Sequence, residues 1–352
     1  MADTAASLLV PTPIAVVGAG MIGRKHLAAL GVARGVRAAA VIDPAPAARA
    51  LAVDLGLPWF PALEDLPPGL ARGVILALPN ALHVSGGLAA LAMGLPVLVE
   101  KPLAVDVAGA GTLVAAAEAA GLALMTGHHR RHNPMIAAAR ALIAGGAIGV
   151  PVSVQGTFWA EKPAEYFATD WRRQEGAGPV LLNVIHDIDV MRHLVGEIAA
   201  VQAVETRRHR GNAVEDAAVI LLEFANGALG TLNVADCIPA PWSWELTAGE
   251  NRDYAASGQS CYVIGGTAGA LELPQLRLWR HDGARGWWDP ITATTHPHPH
   301  GDPLVLQAAH FGRVIRGEEP PLVSGREGLR TLAAAMAIKT AAARGTRITL
   351  DP

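Results

Sequence analysis

The stretch IAVVGAGMIGRKHL, residues 14–27, decides how the rest of the chain is read. Its four leading apolar residues, Ile14 to Val17, suit a strand buried on both faces of a parallel sheet. Gly18, Gly20 and Gly23 follow in the G-x-G-x-x-G spacing, and Met21 to Leu30 then carry a helical pattern. Alone the spacing is weak; between a strand and a helix it acquires physical content. Gly18 permits the tight turn, Gly20 lets backbone approach a pyrophosphate, and Gly23 lets helix and strand pack closely. The amides of Met21 and Ile22 open the helix, where N–H donors and the dipole favour an anion. Asp43 ends the next apolar run, VRAAAVID, 20 residues beyond Gly23. A carboxylate there holds an adenosine ribose diol and repels a 2′-phosphate, so NAD is expected over NADP.

Strand and helix patterns continue outward from this point. Val36 to Ile42, Val74 to Leu78, Pro96 to Val99 and Leu122 to Met125 read as strands, separated by helical stretches His83 to Met93 and Val107 to Ala120. That alternation predicts an α/β domain, a doubly wound parallel sheet. Near His132-Asn133-Pro134 the rhythm changes: a helix over Met135 to Ala144 is followed by strands Val152 to Trp159, Val219 to Phe224 and Leu229 to Val234. Asn226-Gly227 between the last two is a hairpin signal. Tyr262 to Ile264, Ala270 to Leu273 and Leu276 to Trp279 extend a largely antiparallel sheet, with helices at Val180 to Leu194 and Arg326 to Ala343. The expected division is a flexible tail over residues 1–13, a dinucleotide-binding domain over 14–132, and a substrate-binding and oligomerisation domain over 133–352.

Composition narrows the function classes. The 352 residues are 51% hydrophobic and 17% charged, with a formal net charge of -3, which excludes the basic stripe of a nucleic-acid binder. Arg207, Arg208 and Arg210 read as a solvated strand end. Cys237 and Cys261 are too few for a disulfide scaffold and read as buried thiols of a reducing compartment. No apolar run reaches membrane-span length without Gly, Pro or charge, and the start, MADTAASLLVPTP, is not a signal peptide, so a cytoplasmic protein is expected. No metal site is expected either. His296, His298 and His300 read as a solvated loop, and Trp287 and Trp288 as packed on the sheet.

Polar groups gather where a doubly wound sheet binds ligands, beyond the carboxyl ends of its strands. Leu78, Pro79 and Asn80 end one strand, with His83 one turn into the helix after it; Glu100, Lys101 and Pro102 end the next. Together Gly18-Ala-Gly-Met-Ile-Gly23, Pro79-Asn-Ala-Leu-His83 and Glu100-Lys-Pro102 resemble the Gfo/Idh/MocA oxidoreductase family, and GHHRRHNP (127–134) and LLNVIHDID (181–189) sit in family order. The resemblance implies an N-terminal Rossmann domain, a C-terminal domain on an open antiparallel sheet, and NAD as cofactor. It makes Lys101 a catalytic residue touching both nicotinamide and substrate, and Glu100 a cofactor-side one. The Lys101–Pro102 bond is often cis in such enzymes. It also points His129 and Arg130 towards nicotinamide and substrate; a basic hinge capping a helix is the alternative for that run.

On the helix after Pro179, Asn183, His186 and Asp189 are spaced three apart and share a face. His186 there is either a satisfied core residue or an acid–base group, and the resemblance favours the second. Relatives that oxidise polyols carry an aspartate four residues before the histidine; Leu182 stands there in this chain. Asp187 or Asp189 is then a candidate to orient His186, while Asn183 falls at a substrate-contacting position. Trp171 and Arg172 lie in a loop of the kind that closes over a hydroxylated ligand. The expected activity is NAD-dependent oxidation of a secondary alcohol of a sugar, polyol or related cyclic compound, with Lys101 polarising the oxygen and His186 taking its proton. An NAD-dependent glycoside hydrolase and a non-catalytic NAD-binding sensor are the alternatives. Strands apolar on both alternations also predict a homodimer or homotetramer through the C-terminal sheet.

Overall fold

The computed structural model describes residues 10–174, 176–251 and 254–351. Most of the expected tail, residues 1–9, lies outside them. Thr12 and Pro13 are not tail: they begin β1 (Thr12–Val17), because Thr12 and Pro13 already pair with Val36 and Arg37. The chain divides into two compact units, residues 1–132 with 301–329, and residues 133–300 with 330–352. The second domain expected over 133–352 therefore gives up residues 301–329. The reason is apolar packing: Ala308, Phe311 and Val314 belong to the same buried cluster as Ile14, Val16, Leu27 and Val36.

In the first unit β1, β2 (Val36–Ile42), β3 (Trp59–Phe60), β4 (Gly73–Leu76), β5 (Val97–Val99) and β6 (Leu124–Thr126) form one parallel sheet in the order β3-β2-β1-β4-β5-β6. Helices α1 (Met21–Val32), α2 (Pro46–Asp54), α3 (His83–Ala92) and α4 (Val107–Ala120) connect them. The chain crosses from one side of the sheet to the other between β1 and β4, the switch point at which such sheets bind ligands. β3 was not foreseen, since two half-buried residues carry no periodic signal.

The second unit is built on nine strands in the order β14-β13-β12-β11-β7-β10-β9-β8-β15. They are β7 (Pro151–Trp159), β8 (Ile198–Thr206), β9 (Ala217–Phe224), β10 (Leu229–Ala235), β11 (Tyr262–Gly266), β12 (Ala270–Leu273), β13 (Arg277–Arg280), β14 (Thr292–Thr295) and β15 (Ile348–Thr349). Every pairing is antiparallel except β7 with β10. Alternate residues Val154, Phe158, Ile220, Leu222, Leu232 and Ile264 enter one core with residues of α5 (Pro134–Ala144), α6 (Ile185–Leu194) and the later turns of α9 (Gly325–Arg344). The opposite face leaves Val204, Val219, Leu221 and Leu229 exposed. Two short expectations fail here. Trp287 and Trp288 do not pack on the sheet; they are 97% and 96% exposed in the β13–β14 connection. Helices α7 (Trp244–Thr247) and α8 (Pro303–Ile315) add to those foreseen.

A buried hydrogen bond ties α1 to the end of β5. Glu100, 6% exposed, points inward and its Oε1 lies 2.7 Å from His26 Nε2, while its Oε2 accepts the Lys101 amide at 3.1 Å. Burial alone raises a carboxyl pKa, but the His26 hydrogen bond and the charges of His26, His129 and Lys101 outweigh it and hold Glu100 down at about 2. A carboxyl whose folded pKa lies below its ordinary 4.5 adds stability above that value and loses it as pH falls towards 2. Removing one partner of such a pair leaves the other buried and uncompensated. Urea unfolding from about pH 6 down to about pH 3 should therefore show Glu100→Gln less stable than the parent by on the order of 3 kcal/mol at the upper end, with the gap narrowing as pH falls. A gap that stays constant with pH would refute the assignment.

Candidate active site

The glycine turn after β1 is shaped by close contacts. Gly18 has φ +92°, and a Cβ on it would stand 2.4 Å from the Ala77 carbonyl oxygen at the end of β4. A Cβ on Gly23 would stand 1.9 Å from the Gly18 carbonyl oxygen. Gly20 differs: nothing lies within 4 Å of its Cβ position, so the α1 N-terminus opens onto free space. No side chain caps that terminus. An open glycine surface before uncapped helix amides fits a pyrophosphate.

Asp43 is fastened to the same turn. Its Oδ2 accepts the Ala19 amide and its Oδ1 the Ala45 amide, both at 2.8 Å. Trp59 Nε1 donates to the Asp43 carbonyl at 2.9 Å. Each carboxylate oxygen keeps a second lone pair for a ribose hydroxyl. The residues present therefore fit NAD: Gly18, Gly20, Met21 and Ile22 at the pyrophosphate, and Asp43 at the ribose.

The neighbouring strand ends supply the rest of the rim. Pro79 and Asn80 are exposed, and Leu78, Lys101, Pro102 and His129 are half-buried. The Lys101–Pro102 peptide is cis. His83, expected to reach the cofactor, is instead fully buried, with Nδ1 2.7 Å from the Pro102 carbonyl and Nε2 2.9 Å from the Leu78 carbonyl. It joins the two strand-end segments. Glu100, expected beside the cofactor, turns inward to His26 and leaves Lys101 as the outward member of the pair. Arg130 is buried at 2% exposure.

In the second unit His186 is buried in the first turn of α6, directly after a π-helical turn over Val180–Val184 that contains Asn183. Such turns shift the register of side chains and recur at functional sites. The N-terminus of that turn is fixed by Glu215, whose Oε1 accepts the Val180 amide at 3.0 Å and whose Oε2 meets Lys339 Nζ at 2.5 Å. Both aspartates beyond His186 have one oxygen engaged elsewhere. Asp187 Oδ1 accepts from the Tyr262 hydroxyl, and Asp189 Oδ1 accepts from Thr331 Oγ1 at 3.0 Å.

The loop after β7 holds Trp171, which is exposed, and Arg172, whose Nη1 donates to the Tyr166 carbonyl at 3.0 Å. The Arg172 guanidinium lies 4.2 Å from the Tyr166 ring centroid and 5.5 Å from that of Trp171. Arg210 is no solvated strand end: it bonds Asp236, lies 3.6 Å from Asp216 and covers the Phe167 ring at 4.4 Å. Lys162 Nζ, 3.2 Å from Asp236 Oδ2, completes the group. Lys162, Asp216 and Asp236 went unnoticed because they are far apart in sequence. One signal was available: the Asn226-Gly227 turn sets Asp216 opposite Asp236, and two facing buried aspartates call for cations.

Among the described residues no group of His, Cys, Asp and Glu is arranged to hold a metal ion, and no helix is long and apolar enough to cross a membrane. Cys237 and Cys261 are free thiols, the first half-buried and the second buried.

Comparison with known proteins identifies the scaffold. Residues 12–128 match the model described as an oxidoreductase family with an NAD-binding Rossmann fold, and residues 136–272 match the GFO/IDH/MocA C-terminal domain. A 1,5-anhydro-D-fructose reductase of Ensifer adhaerens is 28% identical over 276 residues, 77% of this chain and 78% of the reductase. A D-apiose dehydrogenase of Paraburkholderia graminis is 29% identical over 357 residues, covering 96% and 89% of the two chains. The solved WlbA dehydrogenase of Bordetella pertussis, in complex with NADH and UDP-GlcNAcA, superposes with a TM-score of 0.77 at 25% identity, over 97% of this chain and 100% of that one. With a Rossmann sheet in one unit and an open nine-stranded sheet in the other, the chain belongs to the GFO/IDH/MocA oxidoreductases, which bind NAD on a Rossmann fold.

Proposed function

We propose that the chain oxidises a secondary alcohol of a sugar or polyol, with Lys101 polarising the reacting oxygen and His186 receiving its proton. The observation that carries the reading is the strand-end rim of the first unit. There Asp43, the Gly20 surface and the half-buried Lys101 stand past the ends of β2, β1 and β5 of one sheet, with β4 between the last two, while Glu100 is withdrawn into the His26 pair. The names of the relatives, a sugar reductase and a sugar dehydrogenase, support the substrate class. NAD, when bound, supplies the hydride acceptor. Lys101 is half-buried, so an ammonium there gains from an oxygen acceptor that carries developing charge. Leu182 stands where polyol-oxidising relatives carry an aspartate, so His186 acts as base without that partner.

Lys101→Met keeps most of the side chain's packing and removes only the donor. It should fold and bind NAD yet lose turnover by a factor on the order of 10² or more, the scale of removing an acid–base group. His186→Ala should lose a similar factor, and the double variant little more than either alone. Steady-state NADH formation over a panel of sugars and polyols makes the measurement, and full activity in Lys101→Met would sink the mechanism.

We also infer that NAD is preferred over NADP, from the carboxylate of Asp43 at the end of β2. Asp43→Ala should weaken NAD and narrow the preference, since the ribose loses an acceptor and a 2′-phosphate loses a repulsive charge. Because the Ala19 and Ala45 amides lose their acceptor too, NAD affinity should fall by roughly tenfold or more. Tighter binding of NADP than of NAD by the parent, in calorimetry, would overturn the assignment.

The exposed face of the nine-stranded sheet supports self-association. Val204, Val219, Leu221 and Leu229 stand on neighbouring strands β8, β9 and β10, a contiguous apolar patch of the kind that marks interfaces. Light scattering at micromolar concentration should give a homodimer or a dimer of dimers, and Leu221→Glu should shift it towards monomer. A monomeric parent would refute this.

A further inference from the structure

Within the second unit, a cleft of about 550 Å3 is lined by Lys162, Phe167, Arg173, His209, Arg210 and Asn212, with Glu161 at its exposed rim. Strand register gives its location. Ala235 pairs with both Trp159 and Ala217, so Lys162, Asp216 and Asp236 all lie just past one end of the sheet. The π-helical turn that leads into the helix bearing His186 starts at that same end, since the Val180 amide bonds Glu215, the neighbour of Asp216. The inference below rests on the dehydrogenase reading and names its substrate class.

The hydrogen-bond account of this wall is one-sided. Asp216 Oδ2 accepts the amides of His209 and Arg210 at 2.8 and 3.1 Å, Asp236 Oδ1 accepts from Arg210, and Asp236 Oδ2 meets Lys162. Both aspartates are buried behind the wall, and their oxygens are taken. Donors are left over. Arg172 does not itself line the cleft; it shares the Tyr166 ring with Lys162 and keeps its buried Nε without an acceptor. Lys162 Nζ is buried over the Tyr166 ring, with one carboxylate oxygen for three N–H groups. Burial pushes its pKa below the ordinary range, although Asp236 works against that. Glu161, Glu165 and Asp170 are exposed, where water screens them. A sugar hydroxyl both donates and accepts, whereas a carboxylate or phosphoryl group only accepts. Leftover donors on half-buried cations select the second kind.

We propose that this cleft receives the carboxylate or phosphoryl group of a hydroxylated substrate, so that the chain acts on acidic sugars in preference to neutral ones. Three probes share one ring and differ in charge: D-glucose, D-glucuronate and D-glucose 6-phosphate. Calorimetric titration of each into the NAD-loaded protein should show at least one anion binding tighter than D-glucose by about tenfold or more, the scale of a charged hydrogen bond. The two anionic arms tell carboxylate from phosphoryl. The preference should shrink as salt is added and fall below about threefold in Lys162→Met, with Lys162→Arg restoring part of it. NAD affinity of the variants reports that they are folded. Equal binding of all three probes, binding of none, or a preference that survives Lys162→Met would overturn the proposal. NADH formation is followed in the same samples. An anion preference without turnover of any sugar or polyol leaves the cleft in place and counts against the dehydrogenase reading alone, whereas turnover without an anion preference does the reverse.

Discussion

The approach of α1 to the end of β1 is the constraint on which the first unit depends. With the Gly18 oxygen 1.9 Å from where a Gly23 Cβ would be, no side chain is tolerated at either end of the turn without moving the helix. That intimacy aims the α1 N-terminus across the strand ends, and it places the Ala19 amide where Asp43 accepts it. Asp43 in turn holds Ala45 and, through its carbonyl, Trp59. One steric condition thus sets the pyrophosphate surface, the ribose acceptor and the path of the chain after β2. The Glu100–His26 pair adds β5 to the same assembly from inside, because His26 lies on the buried face of α1.

Charge placement follows from that arrangement. Glutamate and lysine are adjacent at the end of a core strand, and neighbouring residues at a strand end point to opposite sides. The glutamate goes in and finds His26; the lysine goes out. An inward carboxylate without a partner would be neutral or excluded from the core. With His26 present it stays ionised far below its usual range, and its negative charge lies beside the lysine backbone. The pair that looks conspicuous in sequence is therefore divided, one residue holding the scaffold from inside and one left half-buried at the strand end.

Much of this was legible because the signals are local. A glycine spacing, a strand, a helix and an aspartate at the right distance specify a Rossmann half without knowledge of anything remote, and the helix Val107–Ala120 coincides with its expected bounds. The Asn226-Gly227 hairpin was equally plain, with Gly227 at φ +88°. What escaped depends on pairing that the sequence does not write down. The parallel contact of β7 with β10 brings Lys162 to Asp236, 74 residues away in the chain, and nothing near either residue announces it. His83 was misjudged for the complementary reason: its position in the motif is right, but two backbone carbonyls claim its ring. Residues 301–329 were assigned to the wrong unit since helix periodicity reports an apolar face, not which core receives it.

The two units expose polar groups by different physics. In the first, backbone amides of a glycine turn and a helix terminus do the work, so almost no side chain is committed and the surface stays general for any pyrophosphate. In the second, the cleft is lined by side chains, and each cation must be held by a carboxylate or an aromatic face to remain half-buried. Holding Arg210 and Lys162 consumes Asp216 and Asp236, and holding Arg172 consumes Tyr166 and Trp171. Such a wall is specific because it is built from many side chains, and it is easily changed for the same reason. A dinucleotide surface made of backbone persists under substitution, while a substrate wall made of paired side chains is free to change its ligand one residue at a time. That asymmetry explains why the cofactor was legible in the glycine spacing and Asp43, whereas the side-chain cleft came into view only with the fold.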